Sequence, residues 1–406
     1  MKRDDLLAPA FAQEEAPSIN ELVARARAML PWLKEGADAV EKARCVPAST
    51  IEAFRAAGFF RILQPRRWGG WEMSPEAFYE VVMELGRGCG SSAWNLMILG
   101  VHQWEMGQFP EQAVQEVWGA DNQVLLSSSY APFGTARKVE GGYVLNGTWR
   151  TSSGCDHAQW AFIGARIFND DKQLVDRMSF IVPRTQYEIV DDWYTFALVG
   201  TGSKSLVIKD VFVPDHRGHS LVAPPSSELP VPYRIPFGVA FHLAGASIIT
   251  GFAQGAVDTY IEQMKVRTNV LGAAGLASAS PYVKDRLGNA VSRVRTSRMR
   301  ILHICREALG YAERGEQIPL DERVKLQLDI SRCGRDCEEA VLLLYKAVAA
   351  RALFLDNPMQ RYLRDTLGAA NHPTMNADDN AGILGGHLLG YGLPVGAFEK
   401  PATETA

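Results

Sequence analysis

The spacing of apolar residues changes character twice along the chain. Up to about Gly119 it follows a helical period, with Leu22, Val23, Ala26, Met29 and Leu30 on one helix face. Ser49, Thr50, Ile51 and Glu52 have the form of a capping box, in which the hydroxyl takes the third amide and the glutamate reaches back. Ser74 before Pro75 reads as an N-cap with proline at the first helical position, and Pro110 opens a short helix ending near Gly119. From about Val124 to Val213 the pattern becomes short β-rich runs separated by turns. Residues 139–147 predict a hairpin, with Gly141 and Gly142 free to take positive φ. Residues 160–163, 179–182, 205–208 and 211–213 predict strands, the second of them stopped by Pro183. A polar, proline-rich connector (223–232) then leads into long helices predicted over 239–265, 282–314 and 321–354, with a shorter one near 376–389. Together these four make a helical bundle. The expected fold is α+β: an N-terminal helical domain (1–122), a middle antiparallel β-sandwich or barrel domain (123–222), and a C-terminal helical bundle domain (223–406).

Composition narrows the classes. The 406 residues are 47% hydrophobic and 22% charged, which excludes disorder and collagen or coiled-coil arrays as the main state. A formal net charge of -4 offers no basic field for nucleic acid or for a membrane surface. Cys45, Cys89, Cys155, Cys305, Cys333 and Cys337 form no disulfide framework, and no partner stands at metal-ligand spacing from Cys333 and Cys337, so no metal is expected. The N-terminus lacks the apolar core of a signal peptide, and no uncharged apolar run is read as long enough to span a membrane, so a cytoplasmic protein is expected. Gly86, Gly88 and Gly90 imitate a dinucleotide loop but follow a helix where the fingerprint needs a strand. Residues 200–205 imitate the tail of a phosphate loop, but Ala197 stands where the first glycine belongs.

Two segments rich in small hydroxyls remain. Ser127, Ser128 and Ser129 end one strand, and Thr148, Thr151, Ser152 and Ser153 follow the hairpin, which sets the two groups side by side. Taken alone, they are ordinary strand-end hydroxyls bonding the backbone. The order and texture of the segments, however, resemble the acyl-CoA dehydrogenase fold, whose families hold a flavin between a β-domain and a C-terminal bundle. Within it, residues 127–134, 140–147, 152–157, 187–194 and 202–214 are similar to the oxygenase components of the 4-hydroxyphenylacetate 3-hydroxylase family. The similarity runs from about Val46 to Leu389.

That resemblance implies an oxygenase component that uses reduced flavin (FMNH2 or FADH2) and O2, through a C4a-hydroperoxyflavin, to hydroxylate a phenolic substrate. A separate NAD(P)H:flavin reductase would supply the flavin, and the assembly would be a homotetramer. Ser153, with Ser152 beside it, matches the serine that meets flavin N5; Ser128 matches one near the substrate phenol. His372 matches a histidine that holds or removes the phenolic proton, for which its ordinary pKa suits it. Arg267 matches an arginine that meets flavin phosphate across a subunit interface, where a guanidinium fork suits the group. Arg234 and Phe237 match a substrate-side loop, the arginine facing an acidic tail. Trp94 and Trp193 are candidate flavin walls, and Thr374 belongs to a reshaped pocket after His372. The family carries a histidine where Gly100 stands, and His102 is the candidate to take its place. Two other readings share the fold. An acyl-CoA dehydrogenase needs a carboxylate base, yet residues 363–391 contain no glutamate, only Asp365, Asp378 and Asp379. Oxygenation at nitrogen or sulfur would differ only in the pocket. A flavin-free binding relative is the reading from a different class.

Overall fold

The computed structural model describes residues 11, 14–268, 275–394 and 397–398. Helices α1 (Ile19–Ala43), α2 (Ala48–Ala56), α3 (Pro75–Gly86), α4 (Gly90–Met106) and α5 (Glu111–Trp118) precede the strands. Ser74 caps α3 by accepting from the Glu76 amide, and Pro110 precedes α5, as the sequence predicts. The expected capping box at Ser49 does not form, because α2 already begins at Ala48 behind Pro47 with no side-chain cap. The capping box lies instead at α1, where Ser18 and Glu21 bond each other's backbone.

The β-domain is built from two four-stranded sheets. One runs in the order β1 (Leu126–Ser129), β4 (Trp160–Phe168), β5 (Leu174–Pro183), β8 (Gly218–Ser220). The other runs β2 (Thr135–Val139), β3 (Gly142–Ser152), β7 (Lys204–Pro214), β6 (Glu188–Val190). Pairing is antiparallel except that β1 lies parallel to β4. Of the two hairpin glycines, Gly141 takes φ +72° while Gly142 is in β3, where a Cβ would lie 2.3 Å from the Val213 carbonyl. The two runs predicted around residues 205–213 are one strand, β7, with Asp210 at φ 50°. Leu145, Trp149, Ile163, Phe180, Leu206 and Ile208 fill the space between the sheets.

Helices α6 (Phe237–Val266), α7 (Pro281–Glu313), α8 (Leu320–Val348), α9 (Pro358–Ala370) and α10 (Ala377–Leu388) follow. The fourth member of the bundle is α9, which packs on α6 and α8, whereas α10 lies outside against α8. From sequence that place falls to the helix near 376–389 and none is predicted over 358–370, although Met359, Tyr362, Leu363 and Leu367 recur there at helical spacing. Contrary to the membrane reading, α6 is long and apolar enough to cross a bilayer by composition, but it is buried among α3, α7, α8 and α9. One apolar core runs from α1, α3 and α4 through α6 into the bundle, so the two helical parts of the chain share it. At the α3–α6 crossing, Gly86 and Gly251 let the helices touch: a Cβ on Gly86 would stand 2.9 Å from the Gly251 Cα.

Candidate active site

A cavity of about 860 Å³ lies between the β-domain and the helices, a size that suits a cofactor with a substrate. Trp94, Ser128, Ser153, Trp193, Phe237, His372 and Thr374, all singled out from sequence, line it. At the end of β3 the register shifts between Trp149 and Ser152, and Thr151 takes φ 62°. That bulge re-aims the chain, as bulges do near sites. Ser152 turns inward, is fully buried, and donates to Ser127 (3.1 Å), tying β3 to β1. Ser153 then meets the cavity.

The proton direction around Ser153 follows from its partners. Trp94 Nε1 donates to Ser153 Oγ (3.0 Å), which lies 2.7 Å from Ser203 Oγ. Ser203 in turn lies 2.7 Å from Thr201 Oγ1, and Thr201 donates to the Leu198 carbonyl (2.8 Å). A carbonyl only accepts, so Thr201 has spent its proton on it and must accept from Ser203. Ser203 must then accept from Ser153. The Ser153 proton is therefore directed into the protein, and the oxygen offers its remaining lone pair to the cavity. Leu198, at φ 51°, is held by Trp193 Nε1 on its carbonyl (3.1 Å) and by Asp365 Oδ1 on its amide (2.7 Å). Burial pushes the Asp365 carboxyl up to about 6.

His372 follows the C-terminus of α9. Its Nδ1 accepts from the Thr374 amide (3.4 Å) and lies 2.8 Å from the Thr374 hydroxyl. With Nδ1 accepting, the neutral ring carries its proton on Nε2. Open cavity space leaves the ring accessible surface, although protein surrounds it otherwise and burial lowers its pKa to about 4. A second histidine, absent from the sequence reading, completes the wall. Gln327 Nε2 donates to the Thr374 carbonyl (3.1 Å), so Gln327 Oε1 faces His242 Nδ1 (2.6 Å) and accepts its proton. His242 therefore has a bare Nε2. Burial lowers this ring too, to about 4, and charge on His372 acts in the same direction. The two imidazoles thus carry opposite polarity: one donor and one acceptor.

Two residues expected at the site lie elsewhere. Arg234 bonds the Leu229 carbonyl (2.5 Å) and the Ala312 carbonyl, anchoring its turn to α7 rather than facing a substrate tail. His102 is fully buried one layer behind the cavity, its ring stacked at 6.1 Å on Phe241 and its Nδ1 bonded to the Leu126 carbonyl (2.6 Å). Gly100, where the resemblance leads one to expect a histidine, has no room for one: a Cβ would lie 2.5 Å from the Phe78 ring. Arg267 follows the far end of the 30-residue α6, roughly 45 Å from Phe237, and bonds the Val348 carbonyl at the end of α8 (2.9 Å). Sequence reasoning set Thr201 and Ser203 aside with the glycines around them; hydroxyls next to positive-φ glycine were the available signal. His242 is masked by the apolar helix that carries it.

Among the described residues the lining includes Arg150, Arg166, Arg177 and Arg323 and no aspartate or glutamate. The chain is similar to known proteins over most of its length. Residues 243–377 match the family model described as acyl-CoA dehydrogenase, C-terminal domain. Over 376 residues the chain is 36% identical to the flavin-dependent monooxygenase, oxygenase subunit HsaA, of Mycobacterium tuberculosis, covering 91% of this chain and 94% of that one. The chain belongs to the oxygenase subunits of two-component flavin-dependent monooxygenases. To the oxygenase component of p-hydroxyphenylacetate 3-hydroxylase from Acinetobacter baumannii it is 29% identical, covering 94% of this chain and 92% of that one. The crystal structure of 3-HSA hydroxylase from Rhodococcus sp. RHA1 superposes with a TM-score of 0.87 at 34% identity, over 92% of this chain and 98% of that one. Membership in the monooxygenase family, with its acyl-CoA dehydrogenase-like fold and its dependence on reduced flavin, agrees with the resemblance read from sequence. A dehydrogenase base has no carboxylate to fill it among the described lining residues.

Proposed function

We propose that this subunit binds reduced flavin and a phenolic substrate in the cavity and, with O2, hydroxylates the aromatic ring. The observation that carries the reading is the pairing of an outward lone pair on Ser153 with a donor and an acceptor imidazole in one cavity that has no carboxylate among its described lining residues. The residues fit a reduced flavin: an acceptor for an N–H, and flat indoles on Trp94 and Trp193. When bound, reduced flavin supplies the electrons that activate O2.

The chain does the rest. Ser153 accepts from the reduced ring's N5–H, and Ser128 lies by the substrate. His372 donates its Nε2–H to the phenolic oxygen, while His242 Nε2 accepts a hydrogen bond from the phenolic O–H and polarises it towards phenolate. Phe237 and Phe241 lie stacked in the wall, 5.1 Å apart, and help to exclude water. In this reading Arg267 reaches flavin phosphate from a second copy, since its own cavity is a helix length away. The functional assembly is then a cytoplasmic homotetramer served by an NAD(P)H:flavin reductase. Oxygenation at nitrogen or sulfur is the second outcome the same pocket permits.

The test mixes the protein anaerobically with photoreduced FMN, adds oxygen, and assays a panel of phenols by mass spectrometry. A catechol-type product one oxygen heavier is expected. Quantitative hydrogen peroxide with no oxygenated product from phenols, amines or thioethers would overturn the reading.

A further inference from the structure

Arg166 on β4 and Arg177 on β5 are register partners, so their side chains leave the same face of the sheet side by side. Both line the cavity. Like charges directly opposite on adjacent strands repel; Arg166 is exposed, and Arg177 is the more buried of the two. Arg177 is half-buried, and its Nε is sealed from solvent without a hydrogen-bond partner. Burial, and then the charge of Arg166, hold its pKa below the ordinary guanidinium value. Two guanidiniums in this arrangement are completed by an anion that takes donors from both.

The sheet also fixes where that anion lies. Ser128 pairs with Phe162, and Phe162 is four residues before Arg166. The period-2 alternation of strands keeps Ser128, Phe162, Arg166 and Arg177 on one face, and four residues span about 13 Å.

We propose that Arg166 and Arg177 bind an anionic group, a carboxylate or a phosphate ester, at the end of a flexible arm on the aromatic substrate. The arm spans the roughly 13 Å between the arginines and the ring held beside Ser128. The site replaces Arg234, which is committed to backbone carbonyls, as the partner of an acidic tail. The assignment rests on the aromatic hydroxylase reading for the position of the ring. Flavin phosphate offers the same chemistry, so the test separates the two sources.

Protein loaded anaerobically with reduced riboflavin, which has no phosphate, is titrated calorimetrically with 4-hydroxyphenyl alkanoic acids of increasing chain length and with their primary amides. A long-armed acid is expected to bind about tenfold more tightly than its amide, and 4-hydroxybenzoate to show no such preference. Arg166→Gln and Arg177→Gln should each bring the acid-to-amide ratio towards one and leave amide affinity unchanged. Equal binding of acids and amides at every length overturns the arginine site alone. Failure of acids and amides alike to bind overturns the aromatic reading together with it. The affinity ratio of reduced FMN to reduced riboflavin should be the same in wild type and variants; a fall in the variants assigns the pair to the cofactor phosphate and overturns the proposal.

Discussion

Replacing Ser203 with alanine removes the acceptor that directs the Ser153 proton inward. In the wild type the relay from Ser153 through Ser203 and Thr201 ends on the Leu198 carbonyl, so Ser153 presents a lone pair to the cavity. A lone pair suits a ligand N–H, which reduced flavin has at N5, and opposes the bare nitrogen of the oxidised ring. In Ser203→Ala the Ser153 hydroxyl turns freely and donates outward. Relieving a lone-pair clash and gaining a neutral hydrogen bond is worth about 1–2 kcal/mol, or roughly tenfold in the dissociation constant. The variant should therefore bind oxidised FMN about tenfold more tightly, while reduced FMN changes little. Tryptophan-fluorescence titrations, aerobic for oxidised and anaerobic for reduced flavin, measure both constants. Thr201→Val should act in the same direction by freeing Ser203, and Ser203→Thr, which keeps the hydroxyl, should restore the wild-type ratio. An unchanged oxidised-to-reduced ratio in both Ser203→Ala and Thr201→Val, with the fold intact by circular dichroism, would refute the assigned direction of the relay.

Three further outcomes follow from the same packing. His242→Gln should lower hydroxylation about a hundredfold at neutral pH, with recovery as pH rises towards the pKa of the phenol; a pH–rate profile parallel to wild type would count against His242 as acceptor of the phenolic O–H. His102 is fully buried with its pKa lowered to about 4 by burial, below its unfolded 6.5. Its contribution to stability is thus present above pH 6.5 and lost as pH falls towards 4. His102→Phe should shrink the loss of unfolding free energy between pH 7 and pH 4.5 by about 2.5 kcal/mol, measured by urea unfolding; an equal loss in both proteins would contradict the buried neutral ring. Gly86→Ala should cost about 1–3 kcal/mol by prising α3 from α6, seen as a lower urea midpoint at constant m value, whereas a neutral effect would mean the crossing relaxes.

The change of apolar period at about residue 124, and again after residue 213, is visible in the sequence because buried strands and amphipathic helices impose different spacings. Most helix and strand positions follow from that alone, with Pro75, Pro110 and Pro183 marking boundaries. The parallel pairing of β1 with β4 was not legible, since alternation says which face a strand buries but not which neighbour it joins. At the site, Ser153, His372 and Trp94 were found through a family resemblance, and the residues that orient them were not. His242 lies on α6, where a polar residue in an apolar stretch reads as tolerated core. Arg166 and Arg177 are eleven positions apart and become a pair through strand register. Arg234 misled because a loop arginine near aromatic residues looks free until its carbonyl partners are located.

The four arginines among the described lining residues of the cavity belong to a protein whose net charge is -4. The field inside the cleft therefore has the opposite sign to the average field outside, and low-dielectric walls concentrate it at the mouth. An anionic flavin in transit between two proteins crosses oxygenated water, where every collision with O2 is a chance of wasteful oxidation. Attraction over a screening distance of about 10 Å at 0.1 M salt shortens that passage. The yield of product per reductase turnover is then a race between capture and oxidation, decided as much by ionic strength as by any contact between the two proteins.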